Sequence, residues 1–175
     1  MAQWRKGDWK MNADVRATSE HTGAQLRRVA QTIETFLNAT TLNDVHTPED
    51  DASQHFARGF LSDMRHLLVM TERIEEKIGA LLRRPTFSKE HAERLLYDVY
   101  HHVIGCFFYP RHESYSEEGR YAYTGQDAIR FRKKPSRPIR DLTLALSVIF
   151  EPLRERLSYY EHEYVHEKRM QGERV

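Results

Sequence analysis

The chain has 175 residues, a length that suits one domain and buries roughly 70% of its unfolded surface. Its 27 Lys and Arg against 26 Asp and Glu leave a net charge of +1, which excludes a global electrostatic argument for nucleic acid or membrane surfaces. Hydrophobic residues at 39% exclude wholesale disorder, and the single cysteine, Cys106, excludes an internal disulfide framework and a Cys-based zinc knuckle.

The stretch from Met1 to Lys10 has no apolar leader, and no run of about 18 apolar residues follows it. The expectation is a cytoplasmic protein, a single domain over 1–175, whose residues 1–18, with Trp4 and Trp9, form a loosely attached arm. Leu26, Val29, Ala30, Ile33, Phe36 and Leu37 then mark one face of a first helix. Val15 lies on the backward extension of that face, whereas Gly23 weakens it by about 1 kcal/mol relative to alanine.

An acidic link with Pro48 leads to a second helix, with Asp50, Asp51 and Ser53 as candidate caps. Its seam is Phe60, Met64, Leu67, Thr71, Ile74, Ile78 and Leu81, and Pro85 stops it. Ser88 is positioned to cap a third helix, whose seam is Ala92, Leu96, Val99, Val103 and Cys106, widened by Tyr100, Ile104 and Phe107. The helical period disappears from 111 to 137. Tyr121 to Tyr123, a Thr124-Gly125 turn and Ile129 to Arg132 alternate as a small hairpin would. A fourth helix carries Leu142, Leu146, Ile149, Leu153, Leu157, Tyr160 and Tyr164, with a kink or split expected at Pro152. The predicted fold is mainly α: a four-helix antiparallel bundle with a hairpin-like excursion between helices three and four. An excursion of that length in a compact bundle tends to be functional or disordered, and its aromatic residues favour order.

Three patterns invite a chemical reading. His162-Glu163-Tyr164-Val165-His166 matches H-E-x-x-H, in which two histidines one turn apart bind zinc and the glutamate activates water. No histidine follows His166 as a third ligand, and both rings point more than about 130° away from the apolar stripe of the predicted helix. Only His112 or Glu113 of the excursion is available to cover such a site. A metal-dependent hydrolase using His162 and His166 is therefore the runner-up. Asp63-x-x-His66, Asp98-x-x-His101 and Glu163-x-x-His166 read as surface pairs rather than a di-metal set, and His102 reads as a core-edge ring bonded to Asp98. Cys106 reads as a buried, inert thiol. No phosphate loop or nucleophile elbow occurs, and no cofactor is implied.

The third pattern is a basic stretch without acids. Arg130, Arg132, Lys133, Lys134, Arg137 and Arg140 follow or flank Tyr121, Tyr123 and Phe131, just before a helix N-terminus. Guanidinium forks suit phosphate oxygens, aromatic faces supply contact area, and free N–H groups favour an anion. The plainer reading has Ile129 and Phe131 covering the end of the bundle while the basic side chains are solvated.

Leu95 to His101, Phe107-Phe108-Tyr109-Pro110, Ala122 to Gly125 with Ile129 to Arg132, Leu153-Arg154-Glu155 and Tyr159-Tyr160-Glu161 resemble the YpuI-like family, small proteins of unknown function from Bacillus-type bacteria. The resemblance covers about 20 to 165 and is most distinctive from Tyr109 to Arg132. It implies a cytoplasmic bacterial protein with no catalytic residues to carry over, and its pattern does not include the H-E-x-x-H. The leading expectation is a non-enzymatic binding or adaptor protein. Tyr121, Tyr123, Arg130, Phe131, Arg132, Lys133, Lys134 and Arg137 would meet an anionic ligand or acidic protein, nucleic acid being disfavoured by so few charges. A structural subunit that pairs with a second copy is the remaining option.

Overall fold

The computed structural model describes residues 8–46, 51–115 and 129–173, and they are mainly helical. In chain order they form α1 (Asp8–Ala39), the single turn α2 (Leu42–Val45), α3 (Asp51–Leu82), α4 (Lys89–Asp98), a π-helical turn (Val99–Ile104) and α5 (Gly105–Phe108). There follow α6 (Arg137–Arg156), a 3-10 turn (Ser158–Tyr160) and α7 (Glu163–Met170). α1 packs chiefly along α3 and also touches α4 and α6. Among the described residues no strand forms; one isolated antiparallel bridge, Tyr115 to Phe131, ties the two ends of the excursion together. The expected hairpin turn at Thr124-Gly125, with Tyr121 and Tyr123, lies outside the described residues.

α1 is longer than expected. Val15, Ser19, Thr22, Leu26, Val29, Ile33 and Phe36 step by four and three alternately, and Ser19 and Thr22 are as buried as Leu26. Small hydroxyl side chains thus carry the seam where the apolar pattern fades, and the Ser19 hydroxyl donates to the Val15 carbonyl at 2.8 Å. Residues 8–18 belong to this helix rather than to a loose arm; residues 1–7, with Trp4, lie outside the described residues. Gly23 has a packing reason. A Cβ there would lie 3.2 Å from Ile78 Cγ2, so its lack lets α1 and α3 approach closely. The Thr22 hydroxyl, by contrast, is buried without a hydrogen-bond partner. Thr22→Val keeps the shape and removes that polar atom, and is expected to stabilise the protein by about 1 kcal/mol in urea denaturation.

α3 follows its expected seam, with Phe60, Met64, Leu67, Thr71, Ile74, Ile78 and Leu81 all buried. The Thr71 hydroxyl donates to the Leu67 carbonyl at 2.7 Å, which is how one polar residue sits in that row at little cost. Ser88 caps α4 by accepting from the His91 N–H at 3.3 Å.

The third helix departs from a regular period. Its backbone stays helical from α4 through α5, but the Gly105 N–H reaches back five residues to the Tyr100 carbonyl. This wider turn retards the phase, so the core-facing rows become Val99, Val103, Phe107 and Tyr100, Ile104, Phe108. Cys106, expected on the seam, is only half-buried. The histidines exchange roles for the same reason. His102 is exposed, and it is His101 that turns to the protein, its Nε2 3.0 Å from the Tyr160 carbonyl and its ring 4.3 Å from that of Tyr97.

The fourth helical run is split, but not at Pro152. Lacking an N–H, Pro152 leaves the Val148 carbonyl without its usual helical donor, yet α6 continues another turn. The break comes at Leu157, and the 3-10 turn returns Tyr160 and then Tyr164 to the core. At the centre Phe107 stacks on Phe150 with ring centroids 4.5 Å apart.

Candidate functional site

Arg111, Arg132 and Lys133 meet at the end of α3 that adjoins the excursion. The chain leaves α5 at Tyr109, turns at Pro110 with a Glu113 N–H to Pro110 carbonyl bond of 3.0 Å, and passes through Glu113 at φ 49°. This turn lays His112 on α3. Gly59 makes room for it, because a Cβ there would lie 2.8 Å from the Cβ of His112. One turn along the helix, Asp63 receives the loop with both carboxylate oxygens. Oδ2 accepts the His112 backbone N–H at 3.2 Å, and Oδ1 lies 2.8 Å from the ring Nδ1.

The Asp63 side chain is 3% exposed and that of His112 46%. A carboxylate only accepts, so Nδ1 carries the proton toward Asp63, and Nε2 is the ring nitrogen left for other partners. Asp63 therefore belongs to His112, not to His66 as a surface pair. The neighbouring His66 is held below its ordinary value by burial, assisted by the charge of Arg111.

On the far side of the excursion the chain returns through Arg132. Its backbone N–H donates to the Ser114 carbonyl at 3.1 Å and its Nε to the Tyr115 carbonyl at 3.2 Å, while its guanidinium lies 3.0 Å from Glu113 Oε2. Phe131 is half-buried and edge-on to Tyr115 at 5.5 Å and to Phe56 at 6.5 Å. Arg132 and Phe131 thus fasten the two ends of the excursion, so their first role is structural. Arg130, Lys133 and Lys134 are exposed. Arg137, at the start of α6, is also exposed and sits 3.5 Å from Asp141.

Between this clasp and the start of α3 opens a groove of about 650 Å³, walled by His55, Phe56, Arg111, His112, Arg132 and Lys133, with Asp51 and Glu113 as its acids. The sequence pattern marked Arg132 and Lys133 but missed Arg111 and His55 as walls of the groove and Asp63 as the carboxylate behind His112. The available signal was a helical glycine followed one turn later by an aspartate within an apolar row, Gly59 and Asp63.

A family model described as a protein of unknown function, DUF3907, matches residues 19–166. The chain belongs to the DUF3907 family. It is 35% identical over 147 residues, 84% of this chain and 82% of the relative, to the uncharacterised protein YpuI of Bacillus subtilis (strain 168). No solved structure matches it.

The DUF3907 match spans the whole basic groove and also the H-E-x-x-H. In this DUF3907 member that motif is not carried on one helix. His162 precedes α7 in a non-helical conformation, φ −138° and ψ −40°, because the 3-10 turn has just broken the run. Its side chain is 88% exposed and its nearest charged neighbour is Glu161 at 3.9 Å; His166 is exposed as well. Among the described residues no group of three His, Cys, Asp or Glu side chains is placed to hold a metal ion. His112, a potential third ligand, is instead bound to Asp63.

A second concavity of about 460 Å³ lies along the π turn, where Tyr100, Phe108, Pro152, Arg154, Ser158 and Glu161 face one another. The Arg154 guanidinium covers the Phe108 ring at 4.9 Å. Burial, with a hydrogen bond to Glu161, pushes the Tyr100 phenol up to about 12. Cys106 lines the adjoining groove, where burial raises its thiol more than the charge of Arg111 lowers it. Such a thiol is a weak nucleophile. Among the described residues no helix is long and apolar enough to cross a membrane.

Proposed function

We propose that this DUF3907 protein is a non-enzymatic cytoplasmic binding or adaptor protein. It is an antiparallel four-helix bundle whose basic-aromatic surface around 121–140 takes an anionic ligand or acidic partner. What carries the reading is the charge balance of the groove beside α3. Arg111, Arg132 and Lys133 face it with His55 and His112, against Asp51 and Glu113, and Glu113 is already paired with Arg132. Lys133 and Lys134 leave the clasp pointing to solvent, where they steer an incoming anion without having to be desolvated first.

Charge reversal at Lys133 and Lys134 tests this with little risk to the fold, whereas Arg132 is needed to hold the excursion. The double variant Lys133→Glu, Lys134→Glu is expected to weaken binding of pyrophosphate, or of a polyglutamate peptide, by tenfold or more at low salt. The wild-type affinity itself should fall as ionic strength rises. Affinities for both probes that are unchanged by the double reversal would falsify the proposal.

A further inference from the structure

We infer that the groove beside α3 is a site for the phosphate monoester or diphosphate group of a small soluble ligand, with His112 Nε2 as a direct contact to a phosphate oxygen. The inference rests on the anion-binding reading and adds to it a ligand class and a specific atom. Its basis is the way His112 is held. A surface histidine serving only as a charge needs no orientation, yet this ring is fixed three times over. Asp63 Oδ1 takes Nδ1 at 2.8 Å, Asp63 Oδ2 takes the backbone N–H at 3.2 Å, and Gly59 removes the Cβ that would push the ring away. The carboxylate behind it is buried, while the ring itself is half exposed on the groove. Orientation of an imidazole by a buried carboxylate decides which nitrogen meets a partner, and here that nitrogen is Nε2.

The charges around Nε2 select among anions. Arg111 comes from the same turn, Arg132 and Lys133 from the returning chain, and His55 from the first turns of α3; the opposing groups are Asp51 and Glu113. Glu113 engages Arg132, which leaves Arg111 and Lys133 as the permanent cations facing Asp51. They suit a phosphate monoester, which carries close to two negative charges near neutral pH and offers three acceptor oxygens. A volume of about 650 Å³ lies within the range of small-molecule sites, and Phe56 gives one wall an apolar face for the body of the ligand.

Calorimetry with pyrophosphate on the full chain tests the inference, together with NMR of the histidine ring nitrogens. Wild type should bind; Lys133→Glu and His112→Gln should each weaken binding at least tenfold, and Asp63→Asn several-fold, with unchanged circular dichroism. In wild type, pyrophosphate should move the Nε2 resonance of His112, a readout that does not depend on any variant folding. If Lys133→Glu weakens binding while His112→Gln does not, and that resonance stays still, the inference fails and the anion-binding reading survives. The same holds if only a polyglutamate peptide binds. Binding to vesicles containing phosphatidic acid without binding to pyrophosphate overturns the soluble ligand. Binding of no anion at all removes the reading and the inference together.

Discussion

Phe107→Ala is expected to destabilise the protein by about 3–5 kcal/mol, the range for a fully buried phenylalanine whose site cannot collapse. Phe107 has no exposed surface, and its ring lies 4.5 Å from Phe150 in a near-parallel stack, 5.0 Å from Phe108 and 6.2 Å from Tyr115. Those three rings belong to α6, α5 and the excursion, so truncation leaves a void bordered by three separate elements. Against a total stability of about 5–15 kcal/mol, that loss consumes a large fraction of what holds the fold. With a urea slope of about 2 kcal/mol/M, the midpoint should drop by roughly 2 M. Cys106→Ala one residue earlier is the control, expected to cost under about 1 kcal/mol because Cys106 is only half-buried. An unbroken α-helical period from Val99 to Phe108 places Cys106 on the seam. Equal costs at the two positions would contradict the π turn.

That contrast shows where the sequence was legible and where it was not. The rows of α3 were readable because Phe60 to Leu81 keep one strict period and every position of that seam but Thr71 is apolar. In α1 the period is just as strict, but Ser19 and Thr22 occupy two of its places, and hydrophobicity alone marks those as surface. The third helix defeats the pattern differently. Its residues are apolar enough, but the period itself changes at the π turn, so an extrapolated phase misplaces Cys106, His101 and His102.

The candidate site was half legible for a third reason. Arg132, Lys133 and Lys134 stand out as a local cluster without acids. Asp63 finds its partner 49 residues away, and its own helix, with Gly59 one turn before it, marks a place of close approach without naming the residue that fills it. The H-E-x-x-H is the opposite case, a complete local signature that tertiary structure leaves without a third ligand among the described residues. Local spacing sets which groups are available; the chain's return path decides which of them converge.

Alkaline pH should unfold this protein steeply, beginning near pH 10. Tyr115 is fully buried, and burial holds its phenol above the ordinary value although a hydrogen bond with Thr143 opposes the shift. Tyr160 is raised by burial and then by the charge of Glu93. Tyr100 is raised to about 12 by burial first, with Glu161 adding to it. Below pH 10 folded and unfolded chains both keep these protons, and stability is unaffected. Above pH 10 the unfolded chain releases protons that the native protein retains, so stability falls as pH rises from the unfolded value of about 10 through the folded values. Each such phenol approaches a slope of about 1.4 kcal/mol per pH unit as its unfolded form becomes ionised, and three acting together remove roughly 3 kcal/mol between pH 10 and 11. Urea titrations at pH 9, 10 and 11 measure the loss directly, and tyrosinate absorbance counts the protons released on unfolding. Tyr100→Phe should lower the slope by close to one proton, because its ring stays buried while its titrating group is gone. A native protein whose buried phenols ionise like free tyrosine, with no change in urea midpoint across this range, would mean that these hydroxyls face water rather than the core.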